Sequence, residues 1–499
     1  MTFISRILGL VRDLLAAQIF GVSAAVDAFS IAFRIPNLMR NLFAEGSFSQ
    51  AFVPVLSDYR QKCTPDEARL FISRMAGSLS FVLLIVTLLG VLNSASIVHL
   101  FAPGLDPFRF QLASHMLMIT FPYLMLISLT AFVGAILNSY GKFSIPALTP
   151  ALLNVCLIVT AFGITRYFAV PVEAQAWGVL LAGFVQFFFQ LPALYRLRFL
   201  VRPRLHWKDA GVQRVLKLMV PALFGASVAQ LSVLLNTIFA SFLAVGSVTW
   251  LYYSERLAYF PLGVFGVALA TVILPQLSRH HSSESKKEFA ETLDWGLRCN
   301  LLIGLPASLT MLLLSGPLVA SLFAYGKFNT HDLLMTQKSV ITYSFGLLAF
   351  MMVKVLSSAC YAKKDVKTPV KITVIALCVN AMLSAVLIWP LAHAGLALAS
   401  SLSSWINVVL LWIVLYRREV YKTQAGWIAF LCQLFFANGM LSIFLWTMSG
   451  QVSQWIAWGW YERLTHLILL GIGAIALYLV CLYISGLRLD KIKGANHAP

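Results

Sequence analysis

Apolar runs of about twenty residues follow one another almost from end to end of the sequence, separated by short polar stretches. A helix of that length is what crosses the hydrocarbon core of a bilayer. The pattern predicts an all-α, polytopic membrane protein of about fourteen transmembrane helices. The expected spans are 2–20, 25–50, 75–101, 112–138, 146–168, 174–196, 216–245, 249–277, 294–324, 339–361, 369–390, 394–416, 426–449 and 463–487. Composition agrees: 60% of the 499 residues are apolar, 11% are charged, and mean hydropathy is +0.83. The first run carries Arg6 and Arg12 and lacks a small-residue cleavage site, so it reads as helix 1 rather than as a removable signal.

With the N-terminus in the cytoplasm, 26 of the 37 Lys and Arg fall on the inner side, and only Arg109, Arg166, Lys327, Lys338 and Arg463 fall on the outer side. The positive-inside rule therefore places both termini in the cytoplasm. The net charge of +18 is mainly this topology signal and asks for no nucleic acid, although basic inner loops favour anionic lipid head groups. Seven scattered cysteines without C-x-x-C spacing suggest neither a disulfide framework nor a zinc site, and no metal is expected.

Six cations remain inside the spans: Arg6, Arg12, Arg34, Arg40, Arg256 and Lys354. Asp13, Glu45 and Glu255 accompany them, with Asp27 near the outer end of helix 2. A charge in mid-bilayer is costly and normally faces water or a partner. Arg6 and Arg12 are six residues apart, as are Arg34 and Arg40, which sets each pair about 120° apart and about 9 Å along its helix. The simplest packing lines a central cavity with helices 1 and 2 and sets Arg256 opposite. Structural roles stay open for several of these residues: Arg6 could snorkel, Arg34 could serve a helix kinked at Pro36, Arg40 could pair with Glu45, and Lys354 could lie at a rim. The surplus of cations leaves a positive cavity, and guanidinium forks suit phosphate oxygens.

The two halves are weakly self-similar. FVPVLSDY at 52–59 matches ILPQLSRH at 273–280, HLFAPG at 99–104 matches SLFAYG at 321–326, Arg34 maps to Arg256 and Lys142 to Lys363, all at an offset of 221 or 222. The offset spans an even number of helices, so the halves form a parallel repeat, a transporter architecture with its site between the lobes. The expected domains are 1–205 (helices 1–6), 206–420 (helices 7–12), and 421–499 (helices 13–14 and a cytoplasmic tail).

The segments SRILGLVRD, DAFSIAFRIPNLMRNLFAEGSFSQAFVPVLSDY, ITFPYLMLISLTAFVGAILNSYGKFSIPALTP, WLYYSERLAYFPLGVFGVALATVILPQLS and DVKTPVK resemble the MurJ (MviN) family of lipid II flippases, within the multidrug/oligosaccharidyl-lipid/polysaccharide exporter superfamily. The resemblance implies an inner-membrane flippase that moves undecaprenyl-diphosphate-linked muropeptide to the periplasmic face for peptidoglycan synthesis. It implies diphosphate contacts for Arg6, Arg12 and Arg256, and functional or gating roles for Asp27, Arg40 and Glu45. It also implies a lipid-tail groove formed by helices 13 and 14. Some relatives have a sodium site with carboxylates on helices 7 and 11. Here helix 7 has Gln230 and Asn236, and helices 11 and 12 have Asn380, so sodium coupling is not expected.

On this basis the chain is expected to be a transporter and not an enzyme, acting as a monomer on lipid II among membrane lipids, with no cofactor but a requirement for the membrane potential. A flippase for other polyprenyl-diphosphate oligosaccharides is the nearest alternative. A drug antiporter would present carboxylates to its cation, and a membrane enzyme would need clustered Asp, Glu or His. No G-x-x-x-x-G-K-[ST] is present for ATP.

Overall fold

The computed structural model describes residues 2–41, 48–283, 285–421 and 424–487, without the side chains of 2–4, 222 and 224–229. All regular structure among these residues is helical, and it divides into two compact units, 1–249 and 250–499. The first holds α1 (Thr2–Phe20), α2 (Ala24–Arg40), α3 (Phe48–Lys62), α4 (Pro65–Leu92), α5 (Ser94–Phe101), α6 (Pro107–Thr120), α7 (Tyr123–Ser139), α8 (Ser144–Gly163), α9 (Glu173–Arg196), α10 (Ala210–Ser241) and the first turn of α11 (Ser247–Pro261). The second holds the rest of α11 and, after a π turn at Leu262–Gly266, α12 (Val267–Ser282), α13 (Lys286–Leu313), α14 (Ser315–Leu322), α15 (Thr330–Ala362), α16 (Lys367–Arg417), α17 (Trp427–Met448), α18 (Val452–Ala457) and α19 (Trp460–Ile484).

Ten helices among the described residues are long and apolar enough to cross a membrane. Of the expected span 25–50, the described residues form α2, to Arg40, and the start of α3, from Phe48; residues 42–47 lie outside the described residues. The expected spans 369–390 and 394–416 are the two arms of α16, which meet at the non-helical Ala392 (φ 48°, ψ −128°) just after Pro390. α10 was expected in the second lobe. It lies in the first unit because it packs on α3, α4 and α5.

Local sequence explains the helix ends. Thr64 and Glu67 cap the start of α4 reciprocally, with Pro65 at the first helical position, and Asp106 caps α6 ahead of Pro107. Helices α3, α4 and α7 meet in an aromatic core of Phe48, Phe52, Phe71 and Phe132. In the second unit Ile273, Leu293, Leu297, Leu356 and Leu411 play the same part. Exposed apolar rows, such as Phe81, Leu84, Ile85, Leu88 and Leu92 on α4, are the faces a lipid solvent requires.

The repeat is visible in the elements themselves. α4 and α5 recur in the second unit, at the offset of the sequence matches, as α13 and α14 with identical lengths, 28 and 8 residues. In nearly the same register, the start of α6 and the end of α7 recur as the two ends of the single helix α15. Residues with positive φ recur too: Gly141 pairs with Lys364, and Arg198 with Glu419.

The clamp that holds the loop after each repeat's last helix also recurs. Ser73 Oγ donates to the Arg202 carbonyl, and Arg204 N donates to the Ser73 carbonyl at 3.0 Å. At the corresponding place in the second unit, Asp294 accepts from Tyr421 Oη (2.6 Å) and Arg298 Nη2 donates to the Ala425 carbonyl (3.0 Å). The first clamp needs Gly77, because a Cβ there would lie 2.4 Å from the Arg204 backbone. Replacing a helical glycine by alanine ordinarily gains up to about 1 kcal/mol. Here the collision is with backbone that cannot swing aside. Gly77→Val should therefore lower stability by about 3 kcal/mol, read as a lower unfolding temperature in detergent.

Candidate functional site

The intramembrane charges fall into distinct local settings. Arg12, two turns beyond Arg6 on α1, is buried at 8% exposure. Its Nε and Nη2 donate to Asp13 Oδ1 at 3.0 and 2.6 Å, and Asp13 is itself buried. Arg12, counted among the surplus cations, is thus paired with an acid: adjacent side chains leave a helix about 100° apart, yet the long guanidinium arm curls back onto the short carboxylate. Arg6 is exposed, so the two arginines sit in different surroundings on one helix. α1 is fixed by α8, where Asn154 Nδ2 donates to the Ser5 carbonyl at 3.1 Å beside Gly9.

Asp27 is fully buried in the first turn of α2. It accepts from Gly246 N (2.6 Å), Thr249 N (3.0 Å) and Thr249 Oγ1 (2.6 Å), which grips the turn between α10 and α11. Gly246 has φ +97°, a conformation that glycine adopts without strain. Arg34 lies two helical turns after Asp27 and so nearly on the same face of α2, about 10 Å along. Its Nη1 donates to Thr237 Oγ1 of α10 at 2.9 Å. One face of α2 thus holds α10 at two levels. Arg40 Nη2 donates to Asn41 Oδ1 at 3.4 Å. Glu45, its expected partner, lies outside the described residues.

In the second unit Arg256 is exposed, and its Nε and Nη2 donate to Tyr252 Oη, one turn earlier, at 3.2 and 3.0 Å. The guanidinium also lies 5.1 Å from the centre of the Tyr252 ring. A phenol is no anion, so this contact orients the group rather than cancelling its charge. Glu255, the next residue, is partly buried, and Lys354 is exposed on α15.

Two of the five cations counted on the outer side are deeply buried. Arg109 faces Asp27 and Asp106, and Arg463 donates to four backbone carbonyls. No sequence motif marks either, since their partners are distant in the chain or are carbonyls that every residue carries. Beside the start of α16, Arg418 and Thr368 hydrogen-bond Asp365 and hold its carboxyl down to about 2, the Thr368 hydroxyl contributing most. Among the described residues no group of three or more His, Cys, Asp or Glu is placed to bind a metal ion.

The family model described as Lipid II flippase MurJ matches residues 16–464. A Vibrio cholerae serotype O1 protein named Probable lipid II flippase MurJ is 44% identical over 99% of this chain and 96% of its own length. A protein of that name from Haemophilus influenzae is 41% identical over 99% and 100%, and Lipid II flippase MurJ of Burkholderia cenocepacia is 41% identical over 87% and 85%. A solved structure described as Lipid II flippase MurJ, inward closed conformation, superposes with a TM-score of 0.83 at 27% identity, covering 99% of this chain and 98% of that one. An inward-facing multidrug resistance MATE family transporter of the MOP superfamily shares the fold, with a TM-score of 0.69 at 13% identity over 83% and 94%.

Proposed function

The chain belongs to the lipid II flippase MurJ family, and from that membership we propose that it carries lipid II from the cytoplasmic to the periplasmic leaflet of the bacterial inner membrane by alternating access. It is a multi-pass transporter and not an enzyme. The observation that carries the proposal is the family match along nearly the whole chain, joined to guanidinium groups at Arg6, Arg12 and Arg256 within apolar helices.

In this proposal the diphosphate of the substrate is received by Arg6, Arg12 and Arg256 while the polyprenyl tail stays in lipid. Asp13 supports the reading in a specific way: it keeps the Arg12 guanidinium ordered before substrate arrives, and a diphosphate, with more oxygens and charge, competes for the same guanidinium edge. Tyr252 orients the Arg256 fork. Asp27 and Arg34 fasten α2 to α10 and the turn after it, and these contacts must loosen when the outer side opens. Both termini are cytoplasmic, the working unit is the monomer, and no cofactor takes part.

The membrane potential acts on such a cavity at about 2.3 kcal/mol per charge per 100 mV. With the inside negative, it returns an unloaded cationic cavity toward the cytoplasm, and bound diphosphate releases it to turn outward. One net charge moved across about 100 mV changes the inward-to-outward ratio by about 50-fold. Flipping of fluorescent lipid II in proteoliposomes should therefore slow markedly when the potential is collapsed with an ionophore. Equal rates with and without potential would overturn the resetting step. Depletion of the protein from cells should leave lipid II on the cytoplasmic face, which tests the substrate and the direction together.

A further inference from the structure

Arg109 occupies the third position of α6 and is buried at 5% exposure. Asp106, the cap of that helix, accepts from Arg109 N at 3.0 Å and binds Arg109 Nε through Oδ2. Nη2 donates to the Leu243 carbonyl at 3.4 Å. Nη1 lies 3.6 Å from Asp27 Oδ2 and makes no hydrogen bond among the described residues. One guanidinium therefore faces two carboxylates on different elements. Asp106 is in its own turn and cannot leave. Asp27 is on α2 and holds the turn between α10 and α11. That turn is also docked directly on the segment before α6: Gly104 N donates to Ser241 Oγ at 3.0 Å, and a Cβ at Gly104 would lie 2.4 Å from the Phe242 ring.

The second half repeats the meeting of positions but not the chemistry. Asp332 is the third residue of α15, as Arg109 is of α6, and its Oδ1 accepts from Nε1 of Trp250 at 3.1 Å. In the register that aligns Asp332 with Arg109, Trp250 aligns with Asp27. There the acid is paired with an indole and locked in a reciprocal cap with Asn329. In the first half a cation is shared between two acids.

We propose that Arg109 is a positioning residue that sets the lifetime of the Asp27 latch, with Asp106 competing for it. Asp106 draws the guanidinium back, so Nη1 stops short of a hydrogen bond to Asp27 and the latch is held at less than full strength. When Asp27 leaves, Asp106 still neutralises Arg109, so opening strands no buried cation. The inference rests on the alternating-access reading, but latch opening can be measured without lipid substrate, so either can fail alone.

Two substitutions have opposite expected signs. Asp106→Asn keeps a good helix cap and removes the competitor, so Arg109 closes on Asp27. Arg109→Gln removes the counter-charge from a carboxylate that stays buried. Hydrogen exchange at the amides of Gly246 and Thr249, which both bond Asp27, reads the opening directly in the purified full-length protein. Arg109→Gln should speed it about tenfold, Asp106→Asn should slow it about tenfold, and Arg109→Lys should fall between Arg109→Gln and the unsubstituted protein. Lipid II flipping in vesicles should slow in Asp106→Asn. Exchange that moves in the same direction in Asp106→Asn and Arg109→Gln, or in neither, with unfolding temperatures unchanged, overturns the proposal.

Discussion

Arg12→Ala abolishes flipping, and adding Asp13→Asn restores stability without restoring flipping: this is the expected pair of results. The reasoning starts from burial. Arg12 and Asp13 are 8% and 4% exposed and joined at 2.6 Å, so removing the arginine alone leaves a carboxylate in a dry setting. Breaking a buried pair in this way costs about 3–5 kcal/mol. A loss of transport in Arg12→Ala would then have two readings, damage to the fold or loss of a phosphate ligand. The double substitution separates them, because a neutral amide beside alanine does not need the counter-charge that Arg12 supplied. If Arg12 serves only the fold, transport returns with the unfolding temperature. If it receives the diphosphate, the complex lacks a charge-assisted contact of about 2 kcal/mol, about 30-fold in affinity, and flipping stays lost. Arg12→Lys keeps the charge but not the fork and should fall between. Unfolding in detergent and flipping in proteoliposomes, measured on the same preparations, decide it. A double variant that flips at the full rate would remove Arg12 from the site.

What could be read from the sequence, and what could not, follows from the range of each interaction. Hydropathy runs and prolines are local, so helices were legible, and short matches in a common register announced the repeat that α4–α5 and α13–α14 display. The boundary between the two arms of α16 was legible too, because Pro390 stands just before the non-helical Ala392.

For the site, charges in apolar runs stood out at once. Their partners did not. The pairing of Arg12 with Asp13 was hidden by the rule that helix neighbours diverge, which holds for Cβ vectors but not for the end of a long arginine. Asp27 meets Gly246 and Thr249 from the opposite end of the first unit's sequence, and neither residue type advertises an acid partner. Arg109 and Arg463 entered the topology count as solvated cations. Burial was not foreseeable for them, because a carbonyl acceptor leaves no trace in a side-chain sequence.

Arg463 carries the other large effect. Its Nε donates to the Trp458 carbonyl at 2.9 Å, Nη1 to Ala320 and Ala324 at 2.9 and 2.8 Å, and Nη2 to Ile456 at 2.8 Å, while the guanidinium stacks 4.8 Å over the Tyr325 ring. These carbonyls lie at the C-terminal ends of α14 and α18, where the helix dipole favours a cation. One side chain therefore ties α14, α18 and α19 together. Arg463→Ala leaves four acceptors without their donor, and with partial rescue by water the expected loss is about 4 kcal/mol. Lysine offers three donors from one point and cannot span both helix ends, so Arg463→Lys should recover only part of it. The damage should also be one-sided. The start of α17 is held separately by Asp294, which accepts from Tyr421 Oη at 2.6 Å and from Trp427 Nε1 at 2.7 Å. Hydrogen exchange in Arg463→Ala should thus rise across residues 449–465 and stay unchanged at Trp427–Phe430. A uniform rise over α17, α18 and α19 would mean that the helices open as one block and that Arg463 is not the tie that holds this end of them.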